Sequence, residues 1–126
     1  MIRNRTMAES HELGKEGEEI ANNFLRKKGY NILENNWQHN KDEVDLIATH
    51  GDYLVIIEVK TRSTFYFGEP QVFVNKKKQY FMIRAANAYI AKHNINLETR
   101  FDIISIVQSG DRISIKHIED AFYPTL

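Results

Sequence analysis

A chain of 126 residues is long enough for one domain with its own core, without help from disulfides or a structural metal. It has no cysteine, which excludes disulfide frameworks, cysteine-ligated zinc and thiol nucleophiles. Seventeen basic and seventeen acidic side chains cancel to a formal net charge of +0, so affinity for nucleic acid would have to come from local clusters; no apolar run reaches membrane-spanning length.

Residues 1–9 read as a flexible leader and residues 10–126 as a single domain. A helix is predicted over residues 10–28, stopped by Gly29, with Leu13, Ile20, Ala21, Phe24 and Leu25 as its apolar stripe. Gly14 and Gly17 lie near Ala21 on the helix surface. Glycine inside a helix costs about 1 kcal/mol against alanine, so both positions imply close approach to a sheet. Glu18 flanks this face, either directed at the sheet or exposed beside Glu16 and Glu19.

Residues 30–37 read as a first strand. Two further apolar segments form a hairpin over residues 43–61, closed by Gly51-Asp52, a two-residue turn with glycine first. That turn sets the register. With His50 opposite Tyr53, Asp45 falls opposite Glu58 and Glu43 opposite Lys60, while Val44, Leu46, Ala48, Val55, Ile57 and Val59 share the core face. Directly opposed carboxylates stand about 5 Å apart at Cβ and repel. Such a pair must take up a proton, shift a pKa or bind a cation. Two carboxylates and a main-chain carbonyl suit Mg²⁺, which keeps several waters and bridges to phosphate. The competing reading is a solvated hairpin end, with Lys60 neutralising Glu43 or Glu58; surface pairs of that kind contribute little.

Residues 61–73 read as a loop containing Gly68 and Pro70. Its Arg62, Phe65, Tyr66 and Phe67 either pack as a satellite of the core or stack on bases. Asn75 caps a second helix that runs to residue 93, with Phe81, Met82, Ala85, Ala86, Tyr89 and Ile90 inward. Lys76, Lys77 and Lys78 open this helix, where the macrodipole disfavours cations. They form either a solvated run or one wall of an anion site. Residues 100–107 and 112–118 form a second hairpin around Ser109-Gly110-Asp111, with Asp102 placed to pair with Arg100 or to cap the neighbouring turn. The five histidines show no metal-ligand spacing, and no phosphate-binding glycine loop is present. The order αβββαββ defines an α+β fold with helices packed on a mixed sheet.

Taken together, Gly14-x-x-Gly17-Glu18-x-x-Ala21, Gly29-Tyr30-x-Ile32-Leu33, Asn36-Trp37, Glu43-Val44-Asp45-Leu46-Ile47, Glu58-Val59-Lys60-Thr61-Arg62, Gly68-x-Pro70, Lys78, Ala85-Ala86-x-Ala88-Tyr89 and Arg100-Phe101-Asp102 resemble the YraN-type family of uncharacterised bacterial proteins. The resemblance covers almost the whole chain. That family is similar to the PD-(D/E)XK nucleases, in particular to archaeal Holliday-junction resolvases. The resemblance implies a restriction-endonuclease-like core and a Mg²⁺-dependent (or Mn²⁺-dependent) endonuclease acting on structured or branched DNA. By it, Asp45 matches the motif aspartate, Glu58 and Lys60 the (D/E)XK pair, and Glu18 the helix-one glutamate. Asp45, Glu58 and the Val59 carbonyl would hold the metal, and Lys60 would orient or deprotonate the attacking water. Glu18 would position a water or a second ion, and Arg62, Lys76, Lys77 and Lys78 would grip flanking phosphates. The chain departs from the family pattern in three places. Asp42 stands where many relatives have glycine, Gln38 where an arginine is common, and Val72-Phe73-Val74 where Glu-Ala-Val is common. The last two changes bear against a phosphate contact at residue 38 and a helper acid in the loop.

Two alternatives keep the fold and drop the chemistry. One is a non-catalytic nucleic-acid-binding module in DNA repair, recombination or RNA processing; the other is a protein-interaction adaptor that uses the charged hairpin end. The sequence reads as cytoplasmic and free of membrane attachment, and a two-fold junction as substrate would suit a homodimer.

Overall fold

The computed structural model describes residues 7–63 and 73–124, with side chains from Leu13 onward within them. The expectations for residues 1–6, for Phe65, Tyr66, Phe67, Gly68 and Pro70, and for Val72 lie outside the described residues. The elements are α1 (Met7–Lys27), β1 (Asn31–His39), β2 (Asp42–His50), β3 (Tyr53–Ser63), α2 (Lys76–His93), β4 (Glu98–Ser109) and β5 (Arg112–Ile118). This is the expected αβββαββ order, with a five-stranded mixed sheet in the order β1-β2-β3-β4-β5. Neighbours are antiparallel except β3 and β4, which run parallel. A parallel pair needs a crossover, and α2 supplies it.

Both faces of the sheet are covered, which accounts for the nearly continuous apolar run of β3. Leu46, Ala48, Val55, Ile57, Ile104 and Ile106 pack against Ala21 and Leu25 of α1. Ile47, Leu54, Ile56, Phe101 and Ile103 pack against Met82, Ala85, Ala86 and Tyr89 of α2. One side chain departs from the expected face. Val44 should sit with Leu46 by strict alternation, yet it joins the α2 cluster together with Trp37. The faces exchange at Asp45. Opposite it on β1, between the pairs Asn35↔Leu46 and Trp37↔Val44, Asn36 adopts a positive φ of 52°. A left-handed residue within a strand re-aims its neighbours as a bulge does, and asparagine is among the few residues that accept it.

Other boundaries moved slightly. α1 begins at Met7 rather than Ser10, and β1 runs from Asn31 to His39. Thr61, Arg62 and Ser63 do not leave the sheet for a loop, because they stay paired to Ile106, Val107 and Gln108 of β4. Asn75 caps α2 as expected, its side chain accepting from the Lys78 amide at 2.8 Å. At the far end, Asp102 fulfils both sequence expectations. It accepts from Arg100 through Nε and Nη2, each at 2.9 Å, and from the Asp120 amide at 3.0 Å. His117 Nε2 lies 2.8 Å from the same carboxylate, and Lys28 Nζ lies 2.7 Å from His117 Nδ1, which fastens the end of α1 to β4 and β5.

Candidate functional site: a fork between two strands

The β2–β3 turn has positive φ at Gly51 and not at Asp52, the pattern of a type II′ hairpin. The register follows as the turn dictates, from His50↔Tyr53 through Thr49↔Leu54, Ala48↔Val55 and Ile47↔Ile56 to Leu46↔Ile57. There the ladder stops, one step before Asp45 and Glu58. Alternation from the turn would make Val44 and Val59 the next hydrogen-bonded pair. Instead the Asp45 carboxylate accepts the Val59 amide, with Oδ2 at 2.8 Å, and replaces the main-chain carbonyl in that bond. β2 stays with β1 as far as His39↔Asp42, while β3 stays with β4. The sheet therefore splits, and Asp45 lies in the split. The expected pairing of Glu43 with Lys60 does not form: past the fork Glu43 sits opposite Gln38, exposed to solvent.

Glu58 follows Leu54 and Ile56 on the face covered by α2, and its side chain is only 15% exposed. Burial first, and then the charge of Glu58, push the Asp45 carboxyl up to about 7. Burial likewise raises Glu58, against the pull of Lys78, of Lys60 and of a hydrogen bond from Asp45. The two acids thus share a partly dehydrated space that disfavours two full negative charges. Among the described residues Glu58 Oε2 is buried without a hydrogen-bond partner. Lys78 Nζ approaches it to 3.4 Å as an ion pair, without the alignment of a hydrogen bond.

The other sequence candidates divide clearly. Glu18 is turned to the sheet: Asn36 Nδ2 donates to its Oε2 at 3.0 Å, and its charge is among those that raise Asp45. It holds this position because α1 lies close on β3 at Gly17, where a Cβ would overlap the Thr61 hydroxyl. Gly14 makes no such approach; among the described residues a Cβ there meets nothing within 4 Å. Lys60 shares the face of Glu58, but its ammonium donates to the Phe73 carbonyl and lies 5.6 Å from the Phe73 ring centroid. Arg62, Lys76 and Lys77 are exposed, with Lys77 Nζ 5.9 Å from the Phe81 ring centroid. Sequence reasoning missed two contributors. Asn36 orients Glu18, and its only local signal was an asparagine in the middle of a strand. The Arg84–Asp42 pair is bidentate, with both bonds at 2.6 Å, and ties α2 to the start of β2 beside the fork. Arg84 holds the Asp42 carboxyl below the usual range, and no spacing in the sequence signals that contact.

The donor set fits a hard divalent cation. An orphaned buried carboxylate oxygen and two acids with raised pKa values are what a cation would relieve. In an extended strand the N–H and C=O of one residue point to the same neighbour, so the Val59 carbonyl also faces the fork. Among the described residues no three His, Cys, Asp or Glu side chains converge as a ready-made chelate. A cation here would rest on two carboxylates, one carbonyl and waters, as Mg²⁺ does.

Fold and site together define an α+β protein whose mixed sheet opens into a carboxylate fork between two helices. The chain belongs to uncharacterised protein family UPF0102, whose model matches residues 17–106. It is 49% identical over 117 residues to the UPF0102 protein of Flavobacterium psychrophilum, covering 93% of this chain and 98% of the relative. It is also 49% identical over 117 residues to that of Christiangramia forsetii, with the same coverage. The UPF0102 protein of Thermodesulfovibrio yellowstonii is 45% identical over 112 residues, 89% of this chain and 96% of the relative. Among the described residues no helix is long and apolar enough to cross a membrane.

Proposed function

We propose that this protein is a metal-dependent nuclease of the PD-(D/E)XK type, hydrolysing phosphodiester bonds in structured or branched DNA. The observation that carries the reading is the fork itself. Two neighbouring strands separate where Asp45 and Glu58 meet, and Glu58 keeps a buried oxygen with no hydrogen bond among the described residues. Asp45, Glu58 and the Val59 carbonyl would hold Mg²⁺ or Mn²⁺. When bound, the ion would supply Lewis acidity at the scissile phosphate and lower the pKa of an attacking water.

The remaining roles fall to the chain's own side chains. Lys60, on the face of Glu58, would leave the Phe73 carbonyl to orient or deprotonate the water and to offset phosphate charge. Glu18, held by Asn36, would position a second water or ion. Arg62, Lys76, Lys77 and Lys78 would contact flanking phosphates, which position a substrate without reading its sequence.

The test compares Asp45→Asn with the parent on branched DNA in Mg²⁺ and Mn²⁺. The variant is expected to lose cleavage while keeping its fold and its salt-sensitive DNA binding. Equal cleavage by the two proteins would end the proposal.

One observation favours a second reading, a nucleic-acid-binding module without catalysis. Both nearby lysines are already engaged, Lys60 by Phe73 and Lys78 by Glu58. DNA binding without cleavage by the parent protein in either metal would select that reading.

A further inference from the structure

Lys78 occupies an unfavourable place for an ammonium. Asn75 caps α2 by accepting from the Lys78 amide, so Lys78 lies in the first helical turn, where the macrodipole repels cations. No acidic residue occupies that turn to compensate. Lys76 and Lys77 face solvent. Lys78 is turned inward instead, and its Nζ lies 3.4 Å from the orphaned Oε2 of Glu58. The direction is imposed by the helix docking. Met82, Ala85, Ala86 and Tyr89 are buried on the sheet, and Arg84 is clamped to Asp42 by two 2.6 Å bonds. The Lys78 side chain nonetheless remains 35% exposed, so its flexible four-carbon stem has an open route outward.

We infer that Lys78 is the resident counter-ion of the fork: its ammonium neutralises Glu58 when no metal is bound, competes with a divalent cation for that carboxylate, and moves to a backbone phosphate when displaced. The inference rests on the reading of Asp45 and Glu58 as a metal site. Two cations cannot share one carboxylate oxygen without strong mutual repulsion. Metal affinity is therefore held down in the free protein and rises when a phosphate draws Lys78 away. Linkage requires the reciprocal effect, so metal must also tighten the grip on nucleic acid.

The test is a calorimetric Mn²⁺ titration of metal-stripped protein in the absence of nucleic acid. Lys78→Met is expected to bind Mn²⁺ at least about 5-fold more tightly than the parent. Lys78→Gln, a polar substitute with the same loss of charge, should move in the same direction. Lys78→Arg keeps the charge and should bind as weakly as the parent. In a second measurement, affinity for a phosphorothioate-protected branched oligonucleotide should rise on Mn²⁺ addition in the parent and rise less in Lys78→Met. Unchanged or weaker Mn²⁺ binding by both neutral variants, or tight binding by Lys78→Arg, would overturn the inference and leave the metal-site reading standing. Absence of Mn²⁺ binding in the parent and in all three variants would overturn both.

Discussion

Gly14 and Gly17 lie on the same helix three positions apart, and the structure gives them opposite consequences. At Gly14 an added methyl meets nothing among the described residues, so Gly14→Ala should stabilise the protein by up to about 1 kcal/mol through helix propensity alone. At Gly17 the same propensity gain is offset by overlap with the Thr61 hydroxyl and by approach to 3.0 Å of its Cβ and Cγ2. Overpacking costs about 1–3 kcal/mol, so Gly17→Ala should be net destabilising, with partial recovery in a double variant carrying Thr61→Ala. Urea unfolding of the four proteins checks both signs. A stabilising Gly17→Ala would mean that α1 does not bear on β3. The Arg84–Asp42 pair is asymmetric in a similar way. Asp42 is only 3% exposed, whereas the Arg84 side chain is 47% exposed. Removing the arginine strands a buried carboxylate, while removing the aspartate leaves a guanidinium that can turn to water. Arg84→Ala is therefore expected to lower the melting temperature more than Asp42→Ala, and the reverse order in thermal scans would contradict the clamp.

The elements differ in how far local sequence determines them. The β2–β3 hairpin was legible because its information is local: glycine at the first turn position selects type II′, and five cross-strand pairs follow without further choice. α2 was legible for the same reason, from its Asn75 cap and from Met82, Ala85, Ala86 and Tyr89 of its inward stripe, which are buried. The end of the hairpin ladder was not legible. It depends on whether Val59 donates to a main-chain carbonyl or to the Asp45 side chain, and Asp45 lies opposite Asn36, a positive-φ residue of a different strand. Extending the ladder by arithmetic therefore produced a Glu43–Lys60 pair that does not form, and it put Val44 on the wrong face. Asp45 and Glu58 were nevertheless identified correctly as neighbours, because the fork opens at their level and not before it.

At the scale of the molecule, the fork makes the stability of the metal-free protein depend on pH. The Asp45 carboxyl is pushed up to about 7 in the fold, from an ordinary value of 3.8, by burial and by Glu58. Between those two values the native state keeps the proton and the unfolded chain has lost it. The contribution of Asp45 to stability is thus greatest below about pH 4, shrinks as pH rises towards about 7, and stays at its lower level above that. Asp45→Asn removes this titration and can still accept the Val59 amide through its own oxygen. Its melting temperature should exceed that of the parent by roughly 5 °C at pH 8 and equal it near pH 4. A difference that does not change with pH would show that the aspartate is not buried against a second acid. What the amino-acid order determined by itself was whatever short-range rules decide: the alternation of elements, the hairpin register, the helix cap and the pairing of two acids across a turn. Only the folded chain decided which way those acids face, that Lys78 and not Lys60 meets Glu58, and that Asn36 brings Glu18 to the fork. These are contacts between residues distant in sequence. Helix-on-sheet packing sets them, because the positions of α1 and α2 over the sheet follow from how the whole core fills space.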